Sequence, residues 1–175
     1  HFTDTFIAAD PLLESFLKTN LEMFKFCLTL RNIRQHTPLH NSSIQSFAAR
    51  YVRKLAQNHQ TEFLKALLTT PKETGRTLFH YVENFIAAIP LLDDLVEFDL
   101  ELFTFLLSSQ DHNQKTPLHN PSVMAHAVEY LSDLIPKHRT LKHLLSIPDQ
   151  EGIVQTVFYL VRLSDSFPVH LKFEN

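Results

Sequence analysis

Apolar residues recur three and four positions apart along this chain, in short bursts separated by polar linkers. Phe24, Cys27 and Leu28 form one burst. Phe63/Leu67/Leu68, Phe103/Leu106/Leu107 and Leu141/Leu144/Leu145 form three more. Such spacing puts the residues on one face of a helix, because a turn takes 3.6 residues. A longer stripe through Ile44, Phe47, Ala48, Tyr51, Val52 and Leu55 predicts a longer helix ahead of the second burst, joined to it by Asn58-His59-Gln60. Polar runs follow the bursts and read as loops, for example Pro71-Lys72-Glu73-Thr74-Gly75-Arg76 and Asp111-His112-Asn113-Gln114-Lys115. The most apolar stretch, 85–107, is interrupted by Asp93, Asp94, Glu97, Asp99 and Glu101. Five carboxylates exclude a membrane span and predict a helix pair with a solvated acidic face.

The pattern repeats. Phe6-Ile7-Ala8-Ala9-Asp10-Pro11-Leu12-Leu13 returns as Phe85-Ile86-Ala87-Ala88-Ile89-Pro90-Leu91-Leu92, and Leu21-Glu22-Met23-Phe24-Lys25-Phe26 as Leu100-Glu101-Leu102-Phe103-Thr104-Phe105. Thr37-Pro38-Leu39-His40-Asn41 returns unchanged as Thr116-Pro117-Leu118-His119-Asn120. All three matches share one ungapped offset, 116 minus 37, or 79 positions. Thr77-Leu78-Phe79-His80 and Thr156-Val157-Phe158-Tyr159 fall near the midpoints, so a half-period near forty residues lies inside the long one. Each unit reads as a loop, a Thr-x-x-His turn, a long first helix and a shorter second helix. Such a unit cannot bury its apolar face alone, whereas stacked neighbours can. The prediction is one all-α domain over 1–175, an α-solenoid of about four stacked helix pairs. The units run over about 1–36, 37–76, 77–115 and 116–155, with a closing helix in 156–175. Pro11 and Pro90 are expected to kink or divide their first helices, and a helix is expected to start at Pro121 with Asn120 as its cap.

Thr-Pro-Leu-His at the head of a two-helix repeat resembles the ankyrin repeat, and Gly75-Arg76-Thr77-Leu78-Phe79-His80 resembles that family's Gly-x-Thr-Pro-Leu-His phrase. The resemblance implies that Thr37/His40, Thr77/His80 and Thr116/His119 are scaffold residues. Thr would begin the first helix, and the imidazole would tie neighbouring turns by hydrogen bonds. It also implies contact positions four, three and one before each Thr: Ile33, Arg34, His36; Glu73, Thr74, Arg76; His112, Asn113, Lys115; and Gly152, Ile153, Gln155. The chain departs from the family in its unit length, near forty against about 33. It also carries Asn41-Ser42-Ser43 and Asn120-Pro121-Ser122 where an Ala-rich phrase is usual. A helical solenoid of another family is the alternative.

Composition narrows function. With 44% hydrophobic residues among 175, the chain can bury a core, and only 2 glycines point away from tight β-turns. A net charge of −3 without a basic run excludes a nucleic-acid footprint. The lone Cys27 fits a reducing, cytoplasmic compartment. It is expected to be a buried core thiol, because it aligns with Leu106. Opening at His1, the chain is expected to be a segment of something longer.

No catalytic constellation is legible. His36 and His40 stand four apart like metal ligands on a helix, but a turn and Pro38 intervene and no third ligand follows at fixed spacing, so neither metal nor cofactor is expected. Two isolated glycines cannot form a phosphate-cradling loop. The expected function is therefore non-enzymatic: a protein-binding module whose loop tips and first helices contact another protein. Arg34, Arg76 and Lys115 would form a basic edge suited to an acidic segment, and reversing all three should cost affinity with little change in stability. The alternative is an accessory domain positioning substrate for an enzyme encoded elsewhere in a longer chain. Loosely kept repeats rich in Phe, Leu, Asn and His resemble ankyrin-type effectors of intracellular bacteria, which would place the protein in host cytoplasm.

Overall fold

The computed structural model describes residues 6–33, 36–58, 60–70 and 74–154, with 45–48 as backbone alone. Regular structure among the described residues is helical throughout, without strands. Helix α1 spans Asp10–Thr19 and α2 Leu21–Thr29; α3 spans Ser42–Gln57 and α4 Thr61–Leu68. Helices α5 (Val82–Ala87) and α6 (Ile89–Phe98) precede α7 (Leu100–Ser108), and α8 (Pro121–Leu134) precedes a 3-10 helix, Arg139–Leu145. Residues 1–5 of the first unit and the closing helix expected in 156–175 lie outside the described residues.

Local chemistry sets the boundaries. Pro90 sits in the first turn of α6, where its missing N–H costs nothing, so the long first helix of the third unit divides at Ala88. Pro11 does the same in α1. Side-chain caps start the following helices: Asn20 accepts from the Met23 N–H, Asp99 from the Leu102 N–H, and Asn41 and Asn120 from the N–H groups of Ser43 and Ser122. Each cap is worth about 1 kcal/mol.

The core is one continuous cluster running through all four helix pairs. Phe24, Tyr51, Phe79, Phe85 and Phe103 are fully buried, and Phe24 meets Tyr51 across the first junction with ring centroids 5.3 Å apart. The first and second helices of the second unit, α3 and α4, pack on α6 and α7 of the third. Cys27, expected to be buried, is half-buried at the rim of this cluster.

Polar bonds cross the same junctions. Lys54 donates to both carboxylate oxygens of Glu14 at 2.7 and 2.9 Å, and Arg50 pairs with Asp10. One helical step of about 100° turns Arg53 the other way, where its Nε donates to Asp94 at 2.8 Å. Thr61 donates to Asp99 at 2.7 Å, and Tyr130 of the fourth unit donates to Asp93 at 2.9 Å. The acidic stretch is therefore not a solvated face throughout. Asp94 is 4% exposed, and its negative charge is tolerated there because a guanidinium meets it. Among the described residues, no helix is long and apolar enough to cross a membrane.

Candidate functional site

The unit boundaries repeat one small network. Thr37, Thr77 and Thr116 each precede a 3-10 turn ending at the histidine: Pro38–His40, Leu78–His80 and Pro117–His119. The long α-helices begin only after these turns, so Thr caps the 3-10 turn rather than the first helix itself. In the second turn the Thr77 N–H donates to His80 Nδ1 at 3.1 Å, while His80 Nε2 lies 2.9 Å from the Lys115 carbonyl oxygen. An N–H only donates and a carbonyl only accepts, so Nδ1 is bare and Nε2 carries the proton. His119 repeats this, accepting from Thr116 at 3.0 Å and donating to the Ile153 carbonyl at 3.3 Å. His40 accepts from the Thr37 N–H at 3.1 Å. All three Thr and all three His are buried. Burial pushes the His80 pKa down, against the opposing hydrogen bond to Lys115.

A five-residue loop with its own rules, described in full over 111–115 and 149–153, recurs along the chain. Asp111 Oδ1 accepts from the N–H groups of Asn113 and Lys115 at 2.8 and 3.0 Å, and the Asp111 N–H donates to the Lys115 carbonyl. Asp149 does the same with Glu151 and Ile153, and Asn32 accepts from the His36 N–H at 3.0 Å. The fourth loop position needs a left-handed backbone: Gly75 has φ 77°, Gln114 φ 56° and Gly152 φ 73°. Both glycines of the chain are used there. A Cβ on Gly75 would also strike the His112 ring and come within 2.9 Å of the His112 nitrogen. Gln114 holds this conformation with a side chain, so Gln114→Gly is expected to stabilise the protein by about 0.5–1 kcal/mol. A urea midpoint unchanged or lowered would contradict it.

Neighbouring loops are laced together. The His112 N–H donates to the Thr74 carbonyl at 3.3 Å, and the Gln150 N–H to the Asn113 carbonyl at 3.4 Å. The basic residue in fifth position reaches the next loop's acid: Arg76 Nε donates to Asp111 Oδ2 at 3.1 Å, and Lys115 Nζ lies 3.9 Å from Asp149 Oδ2. Burial opposes ionisation of Asp111, yet the Lys115 N–H, Arg76 and the Asn113 N–H outweigh it and hold the carboxyl below its ordinary range. In Asp149 the Ile153 N–H leads the same downward shift.

These bonds revise the sequence picture. Ile153 takes the place of Lys115, so Val154 takes the place of Thr116, two residues before the Thr156 that marked the fourth boundary. The missed signal is Asn32, Asp111 and Asp149, an Asx residue opening three of the four loops; the second has Lys72 at that position, outside the described residues. Arg76 and Lys115 line the loop edge but serve as ties, each about two-fifths exposed. Reversing them would set carboxylates beside buried carboxylates, so stability would fall, against the sequence expectation of little change.

Of the other expected contact residues, Thr74, His112, Asn113 and Gly152 are exposed at the loop tips, and Ile33 is 98% exposed. Arg34, Glu73 and Gln155 lie outside the described residues. His36 is partly buried and stacks on His40 at 5.4 Å, within a cleft of 510 Å³ between the first and second turns that Tyr81 and Glu83 also line. No group of three or more His, Cys, Asp or Glu among the described residues is arranged to hold a metal.

No protein-family model, curated protein sequence or solved structure matches this chain.

Proposed function

We propose that this chain is a protein-binding module, an ankyrin-like solenoid whose laced loop tips present one continuous contact surface to another protein. The observation that carries the reading is the division of labour inside the loop. Its first, fourth and fifth positions carry the Asx acceptor, the left-handed backbone and the inter-loop tie. The second and third positions project outward and differ in every unit: Ile33, Thr74, His112 with Asn113, and Gln150 with Glu151. A surface fixed in backbone and varied in side chains suits recognition of an extended partner surface.

The test places a photo-crosslinking residue at Ile33, His112 or Glu151 in the full chain and maps adducts formed in cell lysate. Adducts to one shared protein at two or more of these sites are expected. Affinity for that protein should then fall at least about tenfold, or about 1.4 kcal/mol, when Ile33→Asp, His112→Ala and Asn113→Ala are combined. The melting temperature should stay unchanged, because these side chains are exposed. Undiminished affinity in the triple variant would place the contact surface elsewhere.

A further inference from the structure

The 79-residue offset makes the first and third units directly comparable, and they differ in one respect. On the third unit, Leu91, Leu95, Leu102 and Leu106 are buried, at 3, 0, 2 and 0% exposure, where α6 and α7 lie against α3 and α4 of the second unit. Their counterparts on the first unit are Leu12, Phe16, Met23 and Cys27. Leu12 is 54% exposed and Met23 41%, while Phe16 and Cys27 are half-buried. Positions away from this face keep the same burial in both units: Leu13 and Leu92, Phe24 and Phe103, Leu28 and Leu107 are all within 3% of full burial. The first unit thus exposes the face that its counterpart covers with a preceding helix pair.

The loop tips point the same way. The second residue of each later loop donates its N–H to the loop before it, from His112 to Thr74 and from Gln150 to Asn113. The equivalent donor in the first loop, the Ile33 N–H, finds no acceptor among the described residues, and the Ile33 side chain is 98% exposed. Among the described residues, stacking face and loop ladder are therefore both open at the same end.

We infer that this end is a seat for one further helix pair of the second unit's kind, neutral where Arg53 stands. The specification of charge follows from the junction it would copy. Arg53 meets Asp94 there and Thr61 meets Asp99, whereas the first unit has Ser15 and Asn20 at those two places. Arg53 keeps 55% of its side chain exposed at that junction, so an incoming arginine beside Ser15 would lack its ionic partner rather than its water, and a neutral residue is the closer match. Two copies of this chain placed face to face would cover Leu12 and Met23, but neither brings the preceding loop whose carbonyl takes the N–H of His112 and of Gln150. A helix pair with its own loop supplies the missing carbonyl.

The experiment uses the full chain extended at its start by a second copy of residues 41–79, with Arg53→Ser in the copy. Joining copied residue 79 to His1 preserves the register, since His1 stands 79 positions before His80. The added helices should gain amide-exchange protection. Thiol-reagent labelling of Cys27, the chain's single cysteine, should slow at least about tenfold, and the melting temperature should rise by about 4 °C or more. Leu12→Glu with Met23→Glu should abolish all three gains while leaving the parent chain folded, as both side chains are exposed. An added segment that exchanges as unfolded chain, with Cys27 labelled as fast as before, would overturn the inference. So would sedimentation of the unextended chain as a dimer that the two glutamates dissociate, which would assign the face to a second copy. A monomer is expected.

Discussion

Asp111→Ala is expected to cost about 3 kcal/mol of stability, lowering the melting temperature by roughly 6–12 °C for a chain of this size. The carboxylate has no exposed surface, and it accepts from the Asn113 and Lys115 N–H groups while meeting Arg76. Alanine would leave two loop donors without an acceptor and Arg76 without its anion. Asp111→Asn should cost only about 1 kcal/mol, since an amide oxygen still accepts both N–H groups, as Asn32 does for His36 in the first loop. Paired urea titrations separate the cases. Equal losses in the two variants would mean that the charge, rather than the loop geometry, holds the boundary. The pH dependence has a fixed sign. Because the folded carboxyl sits below its ordinary value, its contribution is complete above about pH 4 and is lost as pH falls through the folded value.

Acidification should expose a second weakness at milder pH. His80 is 3% exposed and neutral, with Nδ1 accepting from the Thr77 N–H. A proton on Nδ1 would set donor against donor inside the core, and burial already lowers the folded pKa. The unfolded histidine titrates near about 6.5, so stability should be complete above that pH and fall as pH drops towards the folded value. The slope should approach about 1.4 kcal/mol per pH unit for one proton. His80→Ala should cost about 2–3 kcal/mol at pH 7.5, losing the bonds to Thr77 and Lys115, and should flatten the slope between pH 6.5 and 5. An unaltered slope in that variant would show that other groups govern the acid transition.

The helix pairs were legible because stacking requires alike apolar stripes, and that requirement writes itself into residues such as Phe24 and Phe103 at a constant offset. Boundary turns were legible for a related reason: Thr and His are needed together, three positions apart. The loop was harder to read. Its opening acceptor is Asn once and Asp twice, since only the side-chain oxygen matters. Its third described example also slipped two residues against the Thr series, so it carries no clean period. Asp94 was hidden among neighbouring acids, because sequence cannot say that Arg53, forty-one positions away, turns towards it. The half-burial of Cys27 depends on which side of α2 the neighbouring helices cover, which no helical stripe encodes.

The loop's construction has a practical corollary. Its shape is set by an oxygen acceptor, a left-handed residue and backbone bonds to the loop before, and none of these uses the side chains of the second and third residues. Those sites tolerate any residue except proline, which would remove the N–H given to the preceding loop in the second position and the N–H given to the opening Asp in the third. Randomising 112–113 and 150–151 together would create a library on a pre-ordered backbone, from which new affinities can be selected without redesigning the helices beneath.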